Sequence, residues 1–240
     1  MTLQTAPLTD IINNQDLLET IAREYGTPAY VYSADRIRKN VREITEAMDE
    51  HLDNHRLYYA IKANQNPVLF RVMQQAHPEI GIDCSTFGEL NLAADMGLNR
   101  DKLVYTGNYE SYRDLEFALE VGLPINFDDI TSYRRCRELE LPEVVSFRVN
   151  PGTGRGAYPG ITTAGKGVKF GVPRDQIRDA YALALEDGVE RFGIHTMVGS
   201  GIMDNDYFAW NSKRLLEIAS DLEDALDITF EYIDMGGGFG

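Results

Sequence analysis

Along the chain, short apolar runs alternate with stretches in which apolar residues recur every three or four positions. The short runs are rich in β-branched and aromatic residues, which is typical of buried strands, whereas the second pattern is typical of amphipathic helices. The predicted strands beyond the N-terminal part are 57–61, 80–84, 103–106, 124–127, 144–149, 191–198 and 228–235. The helices between them are 67–75, 87–96, 112–121, 130–139, 174–186 and 207–226. This alternation predicts βαβ units and a parallel sheet flanked by helices.

The N-terminal part has its own pattern. A helix is predicted over 14–25, because Gly26 is a usual stop signal. A short strand at 28–32 follows, and then a charged amphipathic helix over 34–52. We therefore expect residues 1–33 to form a helix and strand that precede the main domain, which covers 34–240.

Two architectures of the α/β class fit this order of elements. A doubly wound sheet places its ligand at one switch point, whereas a (β/α)₈ TIM-type barrel places it where all the strands end. Here polar or glycine-rich residues follow many of the predicted strands. They are Lys62, Asp83, Ser85, 106–108, Asp128, Arg148, Asn150, Gly199, Ser200 and 236–238. This distribution favours the barrel.

The strand count is seven after the N-terminal part, whereas a complete barrel needs eight. An open barrel would leave two apolar edges unpaired. We therefore expect the 240 residues to be a truncated piece of a longer protein, insoluble or inactive alone, unless the strand at 28–32 or a partner chain fills the gap.

Composition narrows the possible classes of protein. The formal net charge of −15 disfavours nucleic acid and anionic membranes as partners. No apolar run approaches the ~20 residues of a membrane span, and no secretory signal is visible. Cys84 and Cys136 are the only cysteines, which favours reduced thiols in a cytoplasmic protein. No metal site is predicted.

Lys62 closes the predicted strand Arg56-Leu-Tyr-Tyr-Ala-Ile-Lys-Ala-Asn64. With side chains alternating along a strand, Tyr58, Ala60 and Lys62 would share one face. The free amine of a lysine at such a position can attack a carbonyl and form a Schiff base. A surface lysine at the junction of strand and loop is the structural alternative.

Two glycine-containing segments predict an anion site. In 236–238 three consecutive glycines follow a buried strand, so their backbone N–H groups can converge on a phosphate. A tight strand-to-helix turn explains the same glycines structurally. In 193–201 the alternation points His195 and Met197 away from the helices, and Ser200 follows with a free hydroxyl. His195 and Met197 are equally compatible with a packed core.

A carboxylate at Asp83 has two possible basic partners, Lys62 and Arg148. The structural alternative is that Asp83 and Ser85 cap the helix that begins at Phe87.

Taken in order, these segments resemble the barrel domain of the pyridoxal-phosphate (PLP) decarboxylases, the fold group that includes alanine racemase. The likeness is greatest to the diaminopimelate decarboxylase branch, with ornithine decarboxylase more distant. It rests on segments that cover almost the whole chain, namely 58–64, 83–85, 148–151, 163–171, 195–201 and 234–239.

The resemblance implies a role for each candidate residue. Lys62 would hold PLP as a Schiff base, and Ser200 with the amides of 236–238 would hold its phosphate. Asp83 and Arg148 would line the ring side of the pocket, and His195 matches a histidine of the diaminopimelate branch and joins Lys62 as a catalytic candidate. The implied reaction is loss of the α-carboxylate of an amino acid, with the cofactor as electron sink.

The chain departs from the family pattern at two points. Met197 stands where the family has a histidine stacked on the cofactor ring. The last strand lies outside the 240 residues, as does the C-terminal β domain that the resemblance implies residues 1–33 would join. Three alternatives therefore stay open: an amino-acid racemase of the same fold, a non-catalytic relative that binds PLP or a partner, and a barrel acting on a phosphorylated metabolite without PLP. Family members also imply a homodimer of the full-length chain.

Overall fold

The computed structural model describes residues 11–154, 164–165 and 167–239. Residues 1–10 of the predicted N-terminal part, and residues 163 and 166 of the family-like segment 163–171, lie outside these ranges. The backbone divides into two compact units, one ending at Gly81 and the other beginning at Ile82. Within the described ranges, no helix combines the length and the apolar character that crossing a bilayer requires.

Among its described residues, the first unit contains helices, a short strand and a 3₁₀ turn. These elements are α1 (Gln15–Tyr25), α2 (Ala34–His51), β1 (Tyr58–Ala60), the 3₁₀ helix Ile61–Ala63 and α3 (Pro67–Ala76). Side-chain caps explain where two of the helices begin, because Asn14 accepts from Leu17 N–H at 2.9 Å and Asn66 accepts from Val68 N–H at 3.0 Å. The predicted helices are confirmed to within two residues.

The segment 28–32, predicted as a strand, is irregular in the structure. Tyr30 is 92% exposed, and Val31 and Tyr32 are also exposed. A strand needs a neighbour to satisfy its backbone groups, and residue pattern alone cannot supply one. The division of the chain at residue 33 stays a prediction.

The second unit is built on parallel strands. They are β2 (Gly81–Cys84, whose first residue belongs to the first unit), β3 (Leu103–Tyr105), β4 (Ile125–Phe127), β5 (Val145–Asn150), β6 (Val172–Pro173), β7 (Phe192–Thr196) and β8 (Phe230–Asp234). From β2 to β8 they lie side by side in chain order, except that β7 follows β5 and the two-residue β6 pairs with β5. The predicted parallel α/β arrangement is confirmed, although β6 was not predicted.

The helices of the second unit connect these strands. They are α4 (Phe87–Asp95), α5 (Tyr112–Val121), α6 (Ile130–Leu139), α7 (Ile177–Glu186) and α8 (Asn205–Leu226). A capping box starts α5, in which Asp114 N–H donates to Ser111 Oγ at 3.2 Å and Ser111 N–H donates to Asp114 Oδ2 at 3.0 Å. Gly122 ends the same helix in the left-handed conformation, with φ of 72°.

The two faces of this sheet differ in chemistry. On one face aromatic rings pack against the helices, as where Phe147 meets Tyr133 of α6 and Tyr181 of α7 at centroid distances of 5.5 and 5.1 Å. The alternate positions of the same strands carry polar side chains or glycine. They are Asn126, Ser146, Arg148, Gly193, His195 and Asp234. The polar face therefore collects three charged or ionisable side chains that can bind a ligand, Arg148, His195 and Asp234.

Candidate active site

Lys62 lies in the 3₁₀ helix that follows β1, within the first unit. The strand ends at Ala60, so the strand alternation predicted for Tyr58, Ala60 and Lys62 does not extend to Lys62. The 3₁₀ turn buries Ile61, which is 1% exposed, while the side chain of Lys62 is exposed. Burial of its neighbour thus anchors the backbone and leaves the amine accessible to react.

His195 and Asp234 face each other on adjacent strands of the second unit. The two residues are direct register partners of β7 and β8, and His195 Nδ1 lies 2.9 Å from Asp234 Oδ2. Burial opposes ionisation of Asp234, but the interactions with His195, Gly236 N–H and the Asn126 amide outweigh it, so the pKa of Asp234 lies below its ordinary value. His195 thus lies on the polar face of the sheet, away from the helices, as its alternation in the sequence predicted.

In the glycine turn after β8, two of the three positions leave no room for a side chain. Gly236 and Gly238 have φ of 71° and 92°, a region that L-residues rarely adopt. A Cβ on Gly236 would lie 2.2 Å from the carbonyl oxygen of Thr196, and one on Gly238 would lie 2.1 Å from that of Gly199. A Cβ on Gly237 would meet no atom within 4 Å. The turn thus packs closely against the end of β7 and the loop that follows it, while its middle residue faces open space.

Met197 and Ser200 lie next to this turn. The strand ends at Thr196, so Met197 belongs to the loop, and its half-buried thioether Sδ accepts from Gly237 N–H at 3.5 Å. The side chain of Ser200 is exposed, and it follows Gly199, which contacts Gly238. A thioether is a weak hydrogen-bond acceptor, so the Gly237 N–H can still donate to a stronger acceptor.

Arg148 is buried beside Asp128. Its Nη1 lies 3.2 Å from Asp128 Oδ1, and its Nη2 donates to the carbonyl oxygen of Met197 at 3.1 Å. Asn108 Nδ2 also donates to Asp128 Oδ1, at 2.7 Å. Burial raises the pKa of Asp128 and lowers that of Arg148, while the attraction between them opposes both shifts. Arg148 therefore connects this ion pair to the loop that carries Met197.

Asp83 lies in β2, opposite Val104, and is half-buried. The alternative in which Asp83 and Ser85 cap the following helix is wrong. Thr86 is the cap, because its Oγ1 accepts from Glu89 N–H at 3.3 Å, and Ser85 N–H donates to Glu89 Oε2 at 2.6 Å. A threonine three residues before a glutamate is a recognised helix-start signal, so this cap could have been found in the sequence.

Within the second unit the structure brings together His195, Met197, Arg148 and the glycine turn. Two further residues contact this group without a role predicted from the sequence: Asp234, which contacts His195 and Gly236, and Asn126, which contacts Asp234. Asp234 precedes the glycines and could have been found from the alternation that selected His195. Asn126 lies inside an apolar strand, and nothing in the sequence distinguishes it from a tolerated polar residue.

A sheet of parallel strands with polar groups and a glycine turn at the strand ends defines a class of phosphate-binding α/β domains. Residues 35–240 match the family model of the pyridoxal-binding domain of the pyridoxal-dependent decarboxylases. The chain belongs to this family, and its cofactor is pyridoxal phosphate.

The most similar relatives in sequence include diaminopimelate decarboxylases. The chain is 39% identical over 223 residues to that of Thermoplasma acidophilum, which covers 93% of this chain and 54% of the relative. It is 38% identical over 232 residues to that of Methanothermobacter thermautotrophicus, which covers 96% of this chain and 53% of the relative. The chain thus spans about half the length of the relatives it matches.

A solved structure supports the same assignment. Diaminopimelate decarboxylase from Helicobacter pylori, complexed with L-lysine, superposes with a TM-score of 0.83 at 27% sequence identity. The match covers 93% of this chain and 57% of that chain. The predicted fold class, the α/β barrel fold of this decarboxylase group, is thereby confirmed.

The residues of the second unit fit the cofactor's phosphate. A phosphate needs converging N–H donors without Cβ atoms in the way, and the turn 236–238 provides backbone amides with open space at Gly237. Ser200, whose side chain is exposed, adds a hydroxyl donor. It directly follows Gly199, which the turn contacts. The nearest carboxylate, Asp234, is engaged by His195 and by Gly236 N–H, so its charge is compensated.

Proposed function

We propose that the protein to which this chain belongs is a PLP-dependent amino-acid decarboxylase that acts on diaminopimelate or a closely similar diamino acid. The observation that carries the proposal is the 39% identity to a diaminopimelate decarboxylase across 93% of the chain. The reaction is a carbon–carbon bond cleavage that releases CO₂ from the amino acid.

The first unit would supply the covalent attachment. Lys62 carries an exposed amine on a backbone anchored by the buried Ile61, so it can bond to the aldehyde carbon of the cofactor without unfolding the turn. When bound, the cofactor supplies a conjugated ring that takes up the electron pair left behind as CO₂ departs.

The second unit would bind the cofactor and orient it. Ser200 and the amides of Gly237 and Gly238 would hold the phosphate, whereas the Gly236 N–H, also predicted for this role, already donates to Asp234 Oδ1 at 2.8 Å. Arg148 and Asp83 would line the ring side of the pocket. His195 would be oriented by Asp234, whose Oδ2 lies 2.9 Å from Nδ1, so Nε2 is the ring atom that would exchange a proton with a ligand. Met197 would lie against the cofactor with its thioether.

Met197 favours a second candidate function, a relative that binds PLP without decarboxylating amino acids. A thioether cannot donate a hydrogen bond or carry charge, so it cannot replace a histidine in proton transfer.

A racemase of the same fold would also keep Lys62, and it differs in the product. Measuring CO₂ release and loss of optical activity on the same samples separates these functions.

Two further proposals concern the oligomeric partner of the protein and its cellular compartment. We infer a homodimer of the full-length protein, as implied by the family, and a cytoplasmic location. The two cysteines, Cys84 and Cys136, are buried free thiols, which suits a reducing compartment. Sedimentation of the full-length protein tests the dimer.

The test of the lysine assignment uses the full-length protein. We expect a visible absorbance band with PLP, and we expect Lys62→Ala to remove both the band and CO₂ release from diaminopimelate. Lys39→Ala is the matched control, because Lys39 is an exposed lysine of the same unit that pairs with Glu43 on the surface of α2. Borohydride reduction followed by peptide mapping should label Lys62. A label on another lysine, or a Lys62→Ala protein with unchanged absorbance, would show that the assignment is wrong.

A further inference from the structure

Asn126 lies at the centre of a hydrogen-bonded network on the polar face of the second unit. Its side chain is fully buried in β4. Nδ2 donates to Thr106 Oγ1 at 3.0 Å and to Asp234 Oδ2 at 3.3 Å, and Oδ1 accepts from the Tyr232 hydroxyl at 3.0 Å. Because both the amide nitrogen and the amide oxygen have partners, the orientation of this side chain is determined.

The network reaches the glycine turn through Asp234. One carboxylate oxygen, Oδ2, faces Asn126 and His195, while the other, Oδ1, accepts from Gly236 N–H at 2.8 Å. The backbone of Gly236 is also in close contact with Thr196, so the turn has one well-packed position against β7. The orientation of the Asp234 carboxylate therefore determines how the turn begins.

Tyr232 holds the oxygen of the Asn126 side-chain amide. Its ring lies over Gly193, where an added Cβ would be 2.2 Å from the ring carbon Cζ. Only glycine at position 193 leaves room for the ring, and this packing directs the hydroxyl towards Asn126. Gly193, Tyr232 and Asn126 thus form one rigid support under Asp234.

We propose that Asn126 is a positioning residue for the phosphate-binding turn, acting through Asp234 and Gly236, and that Tyr232 orients it. This inference rests on the proposed function, in which the turn 236–238 binds the phosphate of PLP. With Asn126 in place, the negative carboxylate stays directed at Asn126, His195 and Gly236 N–H. Without Asn126, the carboxylate loses one of its three partners and can rotate towards the phosphate, where like charges repel.

The experiment compares two ligands on the full-length apoprotein. The dissociation constants of PLP and of pyridoxal, which lacks the phosphate, are measured by absorbance titration. We expect Asn126→Leu to weaken PLP binding roughly tenfold, on the scale of a lost hydrogen bond to a charged group. Pyridoxal binding should change less than twofold. A general structural defect would weaken both ligands equally, and that result would overturn the proposal.

Ser146→Ala is the matched control. Ser146 is the register partner of Asn126 on β5 and is fully buried, but its hydroxyl has no hydrogen-bond partner among the described residues. Ser146→Ala therefore perturbs the same layer without breaking the network, and we expect unchanged affinity for PLP.

A second variant keeps the proposal testable if Asn126→Leu does not fold. Tyr232→Phe keeps the ring over Gly193 and removes only the hydroxyl, so we expect a smaller, several-fold loss of PLP affinity with pyridoxal unaffected. If the parent protein binds PLP and both variants bind it equally well, the positioning role is wrong. If the parent protein itself does not bind PLP, the proposed function fails instead.

Discussion

Arg148 and Asp128 form a buried ion pair on neighbouring strand ends, with 3.2 Å between Nη1 and Oδ1. The two side chains are only 6% and 1% exposed. Removing one charge from a buried pair leaves the other without compensation, which costs about 3–5 kcal/mol. The sequence offers Asp83 as a possible partner for Arg148, whereas the structure places Asp128 beside it.

The first prediction follows from this pair. Arg148→Met should lower the free energy of unfolding by about 3–5 kcal/mol, because Asp128 stays buried without its counter-charge. Denaturant unfolding of the variant measures the loss. Arg214→Met is the control, since Arg214 pairs with Glu217 at 2.9 Å on the surface, where such pairs contribute about 0–1 kcal/mol. Equal losses of unfolding free energy in the two variants would contradict the claim that burial makes the Arg148–Asp128 pair important for stability.

The second prediction concerns the glycine turn. Gly236→Ala and Gly238→Ala should each destabilise the protein by more than ~2 kcal/mol, because both have positive φ and a Cβ would meet a backbone oxygen closer than 2.5 Å. Gly237→Ala has neither problem and should change stability by about 0.5 kcal/mol or less. The three unfolding curves check this order, and a Gly237→Ala loss as large as the others would refute it.

The third prediction concerns Tyr181, whose hydroxyl connects α7 to two strands. It donates to the carbonyl oxygen of Gly193 at 2.7 Å and accepts from Phe147 N–H at 3.2 Å. Tyr181→Phe should cost about 1–3 kcal/mol, since it leaves buried backbone groups unsatisfied. Tyr112→Phe serves for comparison, because its hydroxyl donates to Glu138 at the surface and its loss should cost under ~0.5 kcal/mol.

The fourth prediction concerns pH. Glu110 is buried and accepts from Ser132 Oγ at 2.5 Å. Burial raises its pKa above the ordinary 4.5, with a smaller contribution from the carboxylates of Asp128 and Asp129, and the Ser132 hydrogen bond opposes the rise. A folded-state pKa above the unfolded one means that the contribution to stability is fully present below pH 4.5. It is lost as the pH rises through the raised value.

Glu110→Gln resembles the protonated carboxyl. We therefore expect it to stabilise the protein at pH 7 relative to the parent and to lose this advantage at pH 4. Ser132→Ala should cost more at pH 7 than at pH 4, because the hydroxyl stabilises the ionised form. Thermal unfolding at the two pH values measures both effects, and a difference that does not vary with pH would disprove the linkage.

Local signals account for the elements that were predicted well. The helices at 112–121 and 130–139 have the predicted bounds, because Ser111 and Asp129 cap their N-termini through side-chain hydrogen bonds. The segment 28–32 had the residue types of a strand and formed none. Lys62 followed a strand pattern but lies in a 3₁₀ turn, since a continuous apolar run does not show where pairing stops.

By itself, the sequence determined the order of strands and helices, the glycine turn and the family-like segments around Lys62 and His195. These features depend on the preferences of residues near one another in the chain. Only the tertiary structure decided that Arg148 pairs with Asp128 and that Asn126, Tyr232 and Asp234 meet beneath the turn. Such contacts join residues about 20 to 108 positions apart, and they depend on the register between strands, which residue preferences do not specify.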